Sequence, residues 1–441
     1  MRVLLLSHTT GYQLRAFNAA AEKLGLELVF ATDRCHELDD PWQDRAIAVR
    51  FHDLNESVNA IVERHLRQPV AGVIAVGDRP VVLAARAADT LGLPWHSVMG
   101  ALASSDKRRS RGALHAAGLP SPEFFVLSAS SASFRHRPSA IRHRVGFPCV
   151  LKPVGLSGSR GVIRADNDAD FLAAFDRIRA LIARPQVRSA RTGLEDQILV
   201  ERYVEGREFA VEGVLTRGVL RVFAIFDKPD PLEGPFFEET VYVTPSSLDV
   251  GLQARLVDQV ARGAAALGLW HGSLHAECRI TPDDEVYVLE IAGRPIGGLC
   301  SRVLTFINAE NAVEGGGTMR AGGLEPEAAS LEEVLLRHAI EQPVNDWARE
   351  TQAAAVMMIP IPARGVLKSV RGEEAARSVA GVTGVRITAK IGQLLEPLPE
   401  AGSYLGFVFA KGAAPCDAEL AVRDAHAKLT FEIAPEIPVN R

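Results

Sequence analysis

The feature that most limits how this chain can fold is the stretch from Leu274 to Ser301, in which two strand-like runs each carry one glutamate. The runs read HAECRI and VYVLEI, and TPDDE between them is typical of a tight turn. If the runs pair as a hairpin, Glu277 and Glu290 point into one site. Two such carboxylates suit Mg²⁺, which prefers hard oxygen ligands and completes its shell with water and phosphate oxygens. The alternative is an exposed hairpin with solvated acids.

A positive charge follows the second strand. Arg294 stands four residues after Glu290, just before the pair Gly297 and Gly298. A guanidinium fixed there can hold a carboxylate or a phosphoryl oxygen through two parallel hydrogen bonds. The sequence therefore places an anion-binding group beside the two acids.

Two further stretches carry the features of a nucleotide site. VLKPVGLSGSRGV, from Val150 to Val162, reads as a strand that ends at Lys152 and runs into a glycine-rich loop. Glycines let backbone N–H groups approach an anion closely, and serines add hydroxyl donors. The loop residues are Gly155, Ser157, Gly158, Ser159 and Gly161. The second stretch, ILVERYVEGREFAVEGVL, reads as two strands joined by a turn at Gly206.

The order of these motifs resembles that of the ATP-grasp superfamily of carboxylate–amine ligases, and the resemblance covers nearly the whole chain. It implies ATP as cofactor together with Mg²⁺, with two ions expected and Mn²⁺ as the alternative metal. It also implies that Glu277 and Glu290 are the metal ligands. The lysine strand, the glycine loop, the ERYVEGRE segment and the paired glutamates carry this resemblance together, because a glycine-rich loop alone is most often a simple turn.

The resemblance assigns roles in nucleotide binding. Lys152 and a second lysine, Lys107 in the segment SSDKRRSRGALHAAG, would hold the phosphates. The loop residues Ser157, Gly158, Ser159 and Gly161 would close over them. The backbone at Glu201, Tyr203 and Val204 would read the adenine edge, and Glu208 would take the ribose hydroxyls. For Lys107 the alternative is a solvated helix lysine, and for Glu208 an acid at a strand edge.

Substrate binding is expected at the segment from Phe223 to Leu248, FAIFDKPDPLEGPFFEETVYVTPSSL. This segment is similar to a stretch in the branch that contains the bacterial L-amino acid ligases, which make dipeptides. There an acid after the phenylalanines recognises an amino-acid ammonium, so Glu238 or Glu239 is the candidate. Arg294 would stabilise the acyl-phosphate oxygen or the tetrahedral oxyanion. Gly297 and Gly298 would border the acyl pocket, and the lack of a side chain at Gly298 predicts a donor larger than alanine.

The chain departs from the ATP-grasp pattern at two positions. An asparagine commonly follows the second metal glutamate by two residues, but this chain has Ala292, so one metal would lose a side-chain ligand or backbone and water would replace it. A basic residue often stands two before the first metal acid, and here it is His275. His275 would assist the oxyanion or orient the substrate, and a buried histidine with a structural hydrogen bond is the alternative.

The predicted architecture is multidomain, with α/β and α+β parts. Residues 1–100 alternate strand and helix, which predicts an N-terminal parallel α/β domain. Polar residues at its strand ends lie where open sheets bind ligands; they are Ser7, His8, Thr9 and Asp78. Residues 101–325 would form the ATP-grasp catalytic domain, with a lid at about 135–204. Residues 326–441 would form a C-terminal closing and lid module that ends in a helix, AELAVRDAHAKLTFEI.

Composition narrows the class of protein. The 441 residues are 47% hydrophobic and carry a net charge of −5, and no basic stripe interleaved with aromatics suggests a nucleic-acid partner. The five cysteines contain no CxxC pair and are read as packing residues. No apolar run reaches membrane-spanning length, so a cytoplasmic protein without a membrane partner is expected. A homodimer is the assembly that base rates favour.

The function predicted from the sequence is an ADP-forming ligase that joins an amino-acid carboxylate to an amine through an acyl phosphate. Its partners would be small-molecule amino acids, with a second L-amino acid as the expected amine. Three alternatives stay open: a tailoring ligase of a secondary-metabolite pathway that uses a non-standard acid or amine, an ATP-dependent carboxylase, and an ATP-binding regulator without catalysis.

Overall fold

A computed structural model describes residues 1–8, 12–33, 46–130, 143–308 and 328–436. The strands are β1 (Arg2–Ser7), β2 (Glu27–Thr32), β3 (Ala46–Ala48), β4 (Gly72–Val76), β5 (Phe124–Ser128), β6 (Cys149–Pro153), β7 (Ile163–Ala165), β8 (Gln197–Arg202), β9 (Arg207–Thr216), β10 (Val219–Asp227), β11 (Val241–Thr244), β12 (Gly272–Ile280), β13 (Val286–Ala292), β14 (Thr305–Asn308), β15 (Ala328–Ser330), β16 (Trp347–Arg349), β17 (Ala353–Ile359), β18 (Gly365–Arg371), β19 (Val382–Ile387), β20 (Leu394–Leu395), β21 (Gly406–Gly412) and β22 (Thr430–Ala434). The helices are α1 (Tyr12–Lys23), α2 (Leu54–Arg67), α3 (Pro80–Leu91), α4 (Val98–Ser105), α5 (Lys107–Ala116), α6 (Asp168–Ile182), α7 (Pro185–Arg188), α8 (Val250–Leu267), α9 (Leu331–Ala339), α10 (Glu373–Arg377) and α11 (Pro415–His426). Within these ranges, every helix is too short or too polar to cross a bilayer.

The N-terminal region forms a parallel sheet in the order β3-β2-β1-β4, which confirms the predicted α/β architecture. Alternate side chains of β1 enter two different hydrophobic cores, so both faces of the sheet are buried. One core receives α1, and the other receives α2 and α3. Ser7 and Asp78 consequently lie at the carboxyl edge, where the strands meet the rest of the molecule.

The lid region is an antiparallel sheet in the order β5-β8-β6-β7, covered on one face by α6. Helix α6 begins at a polar cap, because the side chain of Asn167 accepts hydrogen bonds from the N–H groups of Ala169 and Asp170. Phe171 and Phe175 of α6 are buried against the sheet. The uncovered face of this sheet carries Lys152 and looks toward the central cavity.

The central sheet has eight strands in the order β13-β12-β9-β10-β11-β17-β21-β19, and all neighbours are antiparallel. Helix α8 packs against the β12–β13 end through Leu256, Val260 and Ala264. Strands β17, β19 and β21 belong to the predicted C-terminal module, yet they continue the sheet that carries the paired glutamates. The C-terminal region thus shares its backbone hydrogen bonding with the site.

The prediction of one long helix at the C-terminus is wrong. Helix α11 ends at His426, and the next residues form β22, which pairs with β18. The segment Thr430–Ala434 alternates polar and apolar residues, so Phe431 and Ile433 contact a hydrophobic core as strand residues do. Tertiary pairing therefore overrides the helical periodicity of the preceding residues.

The lid contacts the C-terminal region through several polar links. The guanidinium of Arg177 donates two hydrogen bonds to Glu400, at 2.6 and 2.9 Å. Arg184 pairs with Glu396 at 2.8 Å, and the N–H of Gly161 donates to the carbonyl of Pro399 at 2.8 Å. The glycine loop is held in this way over the central sheet.

Three buried histidines lie where the N-terminal region meets the central sheet. His96 accepts a hydrogen bond from the N–H of Trp270 at 3.2 Å, so its other ring nitrogen donates to the carbonyl of Ser273 at 2.9 Å. The rings of His271 and His338 stack with centroids 4.4 Å apart. Burial lowers the pKa of His96 to about 4 and the pKa of His338 to about 3. His96 and His338 are therefore neutral in the folded protein at mild pH.

We predict that His338 makes folding sensitive to mild acid. In the unfolded chain a histidine titrates near pH 6.5, so below that pH the unfolded state gains a proton that the folded state refuses. The contribution of His338 to the free energy of unfolding is complete well above pH 6.5. It is about 1.4 kcal/mol smaller at pH 5.5. His338→Gln removes this titration, so its thermal midpoint should fall less than that of the wild type between pH 7.5 and 5.5.

The matched control is His52→Gln, because His52 is exposed. Other groups titrate in the same range, and the comparison between chains isolates His338 from them. An identical fall in the midpoint of His338→Gln and the wild type, measured by circular dichroism, would contradict the prediction.

Candidate active site

A cavity of about 340 Å³ lies between the lid sheet, the central sheet and the C-terminal region. Most of the sequence-predicted site residues line it. They are Lys107, Lys152, Ser157, Gly158, Ser159, Glu201, Tyr203, Val204, Glu208, Glu239, His275, Glu277, Glu290, Arg294, Gly297 and Gly298. Two predicted residues, Gly161 and Glu238, do not line this cavity.

The predicted hairpin of paired glutamates is present. Glu277 on β12 lies opposite Glu290 on β13, and a bulge in the ladder follows directly, with Leu289 as the extra residue. Directly opposed residues of an antiparallel pair share one face, so both carboxylates point into the cavity. Their side chains keep 26% and 28% of their surface exposed, which leaves oxygen atoms accessible to a ligand. This oxygen donor set fits Mg²⁺.

Lys107 reaches the cavity because of the way α5 begins. The side chain of Asp106 caps the helix by accepting from the N–H groups of Arg108 and Arg109. Lys107 is the first residue of α5, and its ammonium donates to the carbonyl of Leu156 at 2.6 Å and lies 3.6 Å from Glu290. It therefore connects the glycine loop with the glutamate hairpin.

Lys152 belongs to a buried ion-pair group with Glu201 and Arg111. The Lys152 ammonium contacts one oxygen of Glu201, and Arg111 donates to the other at 2.9 Å. Burial opposes ionisation, but the two cations outweigh it and lower the pKa of Glu201. The Glu201 side chain thus has a role that the sequence did not suggest: it fixes the lysine that is predicted to bind phosphate.

The glycine loop has the backbone that its sequence predicts. Gly158 and Ser159 have positive φ values of 63° and 55°. Gly161 also has a positive φ, of 73°, but a Cβ there would lie 2.7 Å from the ring of Pro153. Since its N–H is bonded to Pro399, Gly161 shapes the loop while Ser157, Gly158 and Ser159 face the cavity.

The ERYVEGRE segment lies along the apolar end of the cavity. The N–H of Tyr203 donates to the carbonyl of Pro148 at 3.1 Å, and Arg279 donates to the carbonyl of Val204 at 2.7 Å. The Arg279 guanidinium lies 5.1 Å from the Tyr203 ring centroid and 5.6 Å from that of Phe237. A Cβ at Gly206 would lie 2.1 Å from the carbonyl oxygen of Ile280, so the turn needs glycine there.

The geometry separates the two candidates for ammonium recognition. Glu239 lines the cavity, and its carboxylate lies 2.5 Å from the ammonium of Lys228. Lys228 also contacts Glu208 at 2.7 Å and Glu277 at 3.4 Å. Burial, together with Glu277 and Glu208, outweighs Lys228 and raises the pKa of Glu239 to about 7. Of the two acids, Glu239 is the one that lines the cavity.

His275 lies between two carboxylates. Its Nδ1 is 3.0 Å from Glu212, and its Nε2 is 3.9 Å from Glu277. Burial opposes protonation, but the hydrogen bond to Glu212 and the proximity of Glu277 raise the pKa of His275 to about 9. His275 is thus a buried, hydrogen-bonded cation at neutral pH that faces a predicted metal ligand. The neighbouring position on β13 is Ala292, which offers no ligand atom.

Arg294 is held by the N-terminal sheet. Its Nε donates to Asp78 at 2.7 Å, and Nη1 donates to the carbonyl of Pro295 at 3.0 Å. Burial opposes ionisation, but the charge and hydrogen bond of Arg294 lower the pKa of Asp78. Among the polar residues at the N-terminal strand ends, Asp78 contacts this site, His8 instead lies 3.6 Å from Asp33, and Thr9 lies outside the described residues.

Sequence reasoning missed several residues of the site. Lys228 and Arg279 hold Glu208 from two sides, Arg111 holds Glu201, and Glu212 holds His275. Lys228 comes directly after the buried strand segment FAIFD. Lys152 similarly lies near the end of the buried strand CVLKP. A charged residue at the end of a strand buried on both faces is the signal that could have drawn attention to it.

Comparisons with known proteins match three parts of the chain to families of protein domains. The chain matches the ATP-grasp N-terminal domain over residues 17–95, the ATP-grasp domain over residues 145–303, and the L-amino acid ligase C-terminal domain 2 over residues 357–434. The ATP-grasp match contains Lys152, Glu208, Glu277, Glu290 and Arg294.

Among curated proteins, alanine–anticapsin ligase from Bacillus subtilis is 25% identical over 297 residues, which are 63% of this chain and 61% of that protein. The alignment thus spans about three fifths of the relative's length. Among solved structures, L-amino acid ligase from Bacillus licheniformis matches with a TM-score of 0.78 at 22% identity over 98% of both chains. Carboxyaminoimidazole ribonucleotide synthase from Aspergillus clavatus, complexed with ATP, has a TM-score of 0.68 at 16% identity and covers 97% of this chain and 98% of its own.

These structural matches show the fold, and the three domain matches follow one another along the chain in the order expected from the sequence motifs. The fold and the family matches agree with the arrangement of lysines, glycine loop and glutamate hairpin. This chain therefore contains ATP-grasp domains and resembles the L-amino acid ligases.

Proposed function

We propose that this protein is an ADP-forming ligase that joins the carboxylate of an amino acid to an amine, with a second L-amino acid as the expected acceptor. One observation carries the proposal. Lys107 and Lys152, the Glu277–Glu290 hairpin and Arg294 all line one cavity under a closed lid. These groups serve the transfer of a phosphoryl group to a carboxylate, which is the step that activates the acid.

The chemistry requires positioning more than reactive side chains. A carboxylate oxygen attacks the γ-phosphorus of ATP, ADP leaves, and the resulting acyl phosphate is attacked by the amine, which expels phosphate. Lys107 and Lys152 hold phosphate oxygens. Glu277 and Glu290 would hold Mg²⁺, and the bound ion would neutralise charge on the nucleotide. The carboxyaminoimidazole ribonucleotide synthase that shares this fold is complexed with ATP, which supports this use of the cavity.

Arg294 faces the reacting carboxylate in this proposal. Negative charge develops on that oxygen when the amine attacks, and a fixed guanidinium stabilises it. Since Asp78 accepts from Nε and the carbonyl of Pro295 accepts from Nη1, the remaining N–H groups are oriented in advance. The N-terminal sheet thus contributes to catalysis through the orientation of Arg294.

Lid closure has a chemical purpose. An acyl phosphate exposed to water hydrolyses, so a closed cavity favours transfer to the amine. The two hydrogen bonds between Arg177 and Glu400, and the link from Gly161 to Pro399, support closure over the reacting groups.

Gly298 borders the acyl pocket in this proposal. Tyr242, Cys300, Met358 and Phe407 line the cavity beside Gly298. Gly298 has a positive φ of 63°, and a Cβ there would lie 3.1 Å from the Phe407 ring. A large residue at this position would displace Phe407, so glycine keeps the pocket open, which supports an acyl donor larger than alanine.

The first test is a screen of amino-acid pairs with purified protein and Mg²⁺–ATP. We expect phosphate and ADP to form only with particular pairs, together with a product whose mass equals the sum of the pair less water. The donor among these pairs should be larger than alanine. Phosphate assays and mass spectrometry provide the two readouts.

Activity restricted to glycine or alanine as donor would contradict the predicted pocket size. ATP binding without turnover for any pair would count against the dipeptide reading, and the panel would then be extended to non-standard acids and amines. If the protein also bound ATP without turnover in the extended panel, the result would favour an ATP-binding regulator.

A second prediction concerns Asp78. Asp78→Asn keeps the shape of the side chain but loses its charge, so Arg294 is less well fixed. We expect kcat to fall about 10- to 100-fold with little change in the KM for ATP. Arg294→Ala should lose about 10²–10³-fold, because the stabilising donor itself is removed.

Asp78 also interacts with Ser157 and Lys107, so the double variant tests the route: if Asp78 acts through Arg294, it should be no slower than Arg294→Ala alone. The control is Asp89→Asn, since Asp89 is exposed on α3 of the same domain. A double variant that loses the product of the two single effects would show that Asp78 acts independently.

A further inference from the structure

Lys228 lies at the centre of the acidic side of the cavity. It follows β10, only 3% of its side chain is exposed, and its ammonium contacts three carboxylates. The distances are 2.7 Å to Glu208, 2.5 Å to Glu239 and 3.4 Å to Glu277. An ammonium has three N–H donors, so each of these contacts can receive one.

The three carboxylates form a group that needs a cation. One oxygen from each of Glu208, Glu239 and Glu277 lies within 4.8 Å of the other two. Like charges this close disfavour ionisation unless a positive charge lies among them. A divalent metal ion is one solution to such an arrangement, since it prefers several carboxylate oxygens. In this chain the positive charge among the three carboxylates is the ammonium of Lys228.

The lysine is also rigidly placed. Its backbone N–H donates to the carbonyl of Glu208 at 3.2 Å, and its ammonium lies 5.1 Å from the centroid of the Tyr242 ring. The preceding residue, Asp227, accepts a hydrogen bond from the N–H of Ser247 at 2.9 Å, which fixes the end of β10. The backbone of Lys228 is thus fixed, and its ammonium is held by the three carboxylates.

Lys228 connects three parts of the proposed site. Glu208 lies toward the proposed ribose position, Glu239 toward the substrate pocket and Glu277 on the metal hairpin. Glu208 is held on its other oxygen by Arg279 at 3.0 Å, and Glu277 faces His275 at 3.9 Å. One oxygen of Glu277 therefore contacts Lys228. The β12–β13 hairpin directs the same carboxylate toward the proposed nucleotide position.

We propose that Lys228 is a positioning residue whose fixed ammonium takes the place of a divalent cation among Glu208, Glu239 and Glu277. It holds Glu277 in place for the nucleotide-bound metal and keeps a further metal ion out of the substrate side of the cavity. The catalytic part of this statement rests on the proposed ligase function, whereas the exclusion of a metal ion does not.

The test is the number of Mn²⁺ ions bound per chain without nucleotide or amino acid, measured from the electron paramagnetic resonance of free Mn²⁺. Lys228→Met removes the charge and keeps the length of the side chain. We expect this variant to bind one more Mn²⁺ than the wild type. Lys368→Met is the control, because Lys368 is exposed on β18, and it should bind the wild-type number.

A second substitution locates the additional ion. Adding Glu239→Gln to Lys228→Met removes one of the three carboxylates, and the additional Mn²⁺ should be lost. An additional ion that persists in this double variant lies elsewhere and would overturn the proposal. So would a folded Lys228→Met variant that binds the same number of ions as the wild type.

Lys228→Gln provides the same count if circular dichroism shows that Lys228→Met does not fold, because glutamine keeps a hydrogen-bond donor near the group. It too should bind one additional Mn²⁺, and an unchanged count in it would overturn the proposal.

Turnover gives a second readout that separates this proposal from the proposed function. With the pair of substrates that the wild type joins, Lys228→Met should be at least about tenfold slower at low free Mg²⁺, since Glu277 is displaced. Added Mn²⁺ should restore part of that rate, because the metal replaces the missing charge, whereas a lysine that serves only in folding would not be rescued. If the wild type joins no pair, the ligase function fails while the Mn²⁺ count still decides the role of Lys228.

Discussion

The structure depends on neutralising a set of carboxylates that face one cavity. Glu201 is bonded to Lys152 and Arg111, Glu208 to Lys228 and Arg279, and Asp78 to Arg294. Without these cations, burial alone would favour protonated acids, which bind neither metal ions nor ammonium groups well. The same pairs hold the lysines and Arg294 at fixed positions. The same ion pairs thus neutralise the buried carboxylates and position the side chains of the proposed site.

Each region of the chain supplies a different part of that arrangement. The N-terminal sheet provides Asp78, the lid provides Lys152 and the glycine loop, and the central sheet provides the glutamate hairpin with Lys228 and Arg294. The C-terminal strands continue the central sheet, and the segment before β21 holds the lid through Pro399 and Glu400. Because the partners of each ion pair come from distant parts of the sequence, the site exists only when the regions are assembled.

Local signals were sufficient for much of this site. The alternation of HAECRI and VYVLEI, with a turn between them, predicted that Glu277 and Glu290 pair, and the register confirms it. Long-range partners were not visible, because no local pattern indicates that Asp78 meets Arg294 or that Lys228 meets Glu277. The sequence likewise left Glu238 and Glu239 equivalent, and only the direction of the chain after Phe237 separates them. The final helix was extended too far because strand pairing with β18 decides the state of Thr430–Ala434.

The central claim is that the cavity activates a carboxylate as its acyl phosphate, and the fate of the carboxylate oxygen tests it directly. An amino-acid donor labelled with ¹⁸O in its carboxylate would be turned over with Mg²⁺–ATP and an unlabelled amine, and the released phosphate analysed by mass spectrometry. The account predicts that each phosphate carries one ¹⁸O atom from the donor, because the oxygen that attacks the γ-phosphorus leaves with it. Unlabelled phosphate accompanying product formation would contradict the account, since the carboxylate would then have been activated by another route.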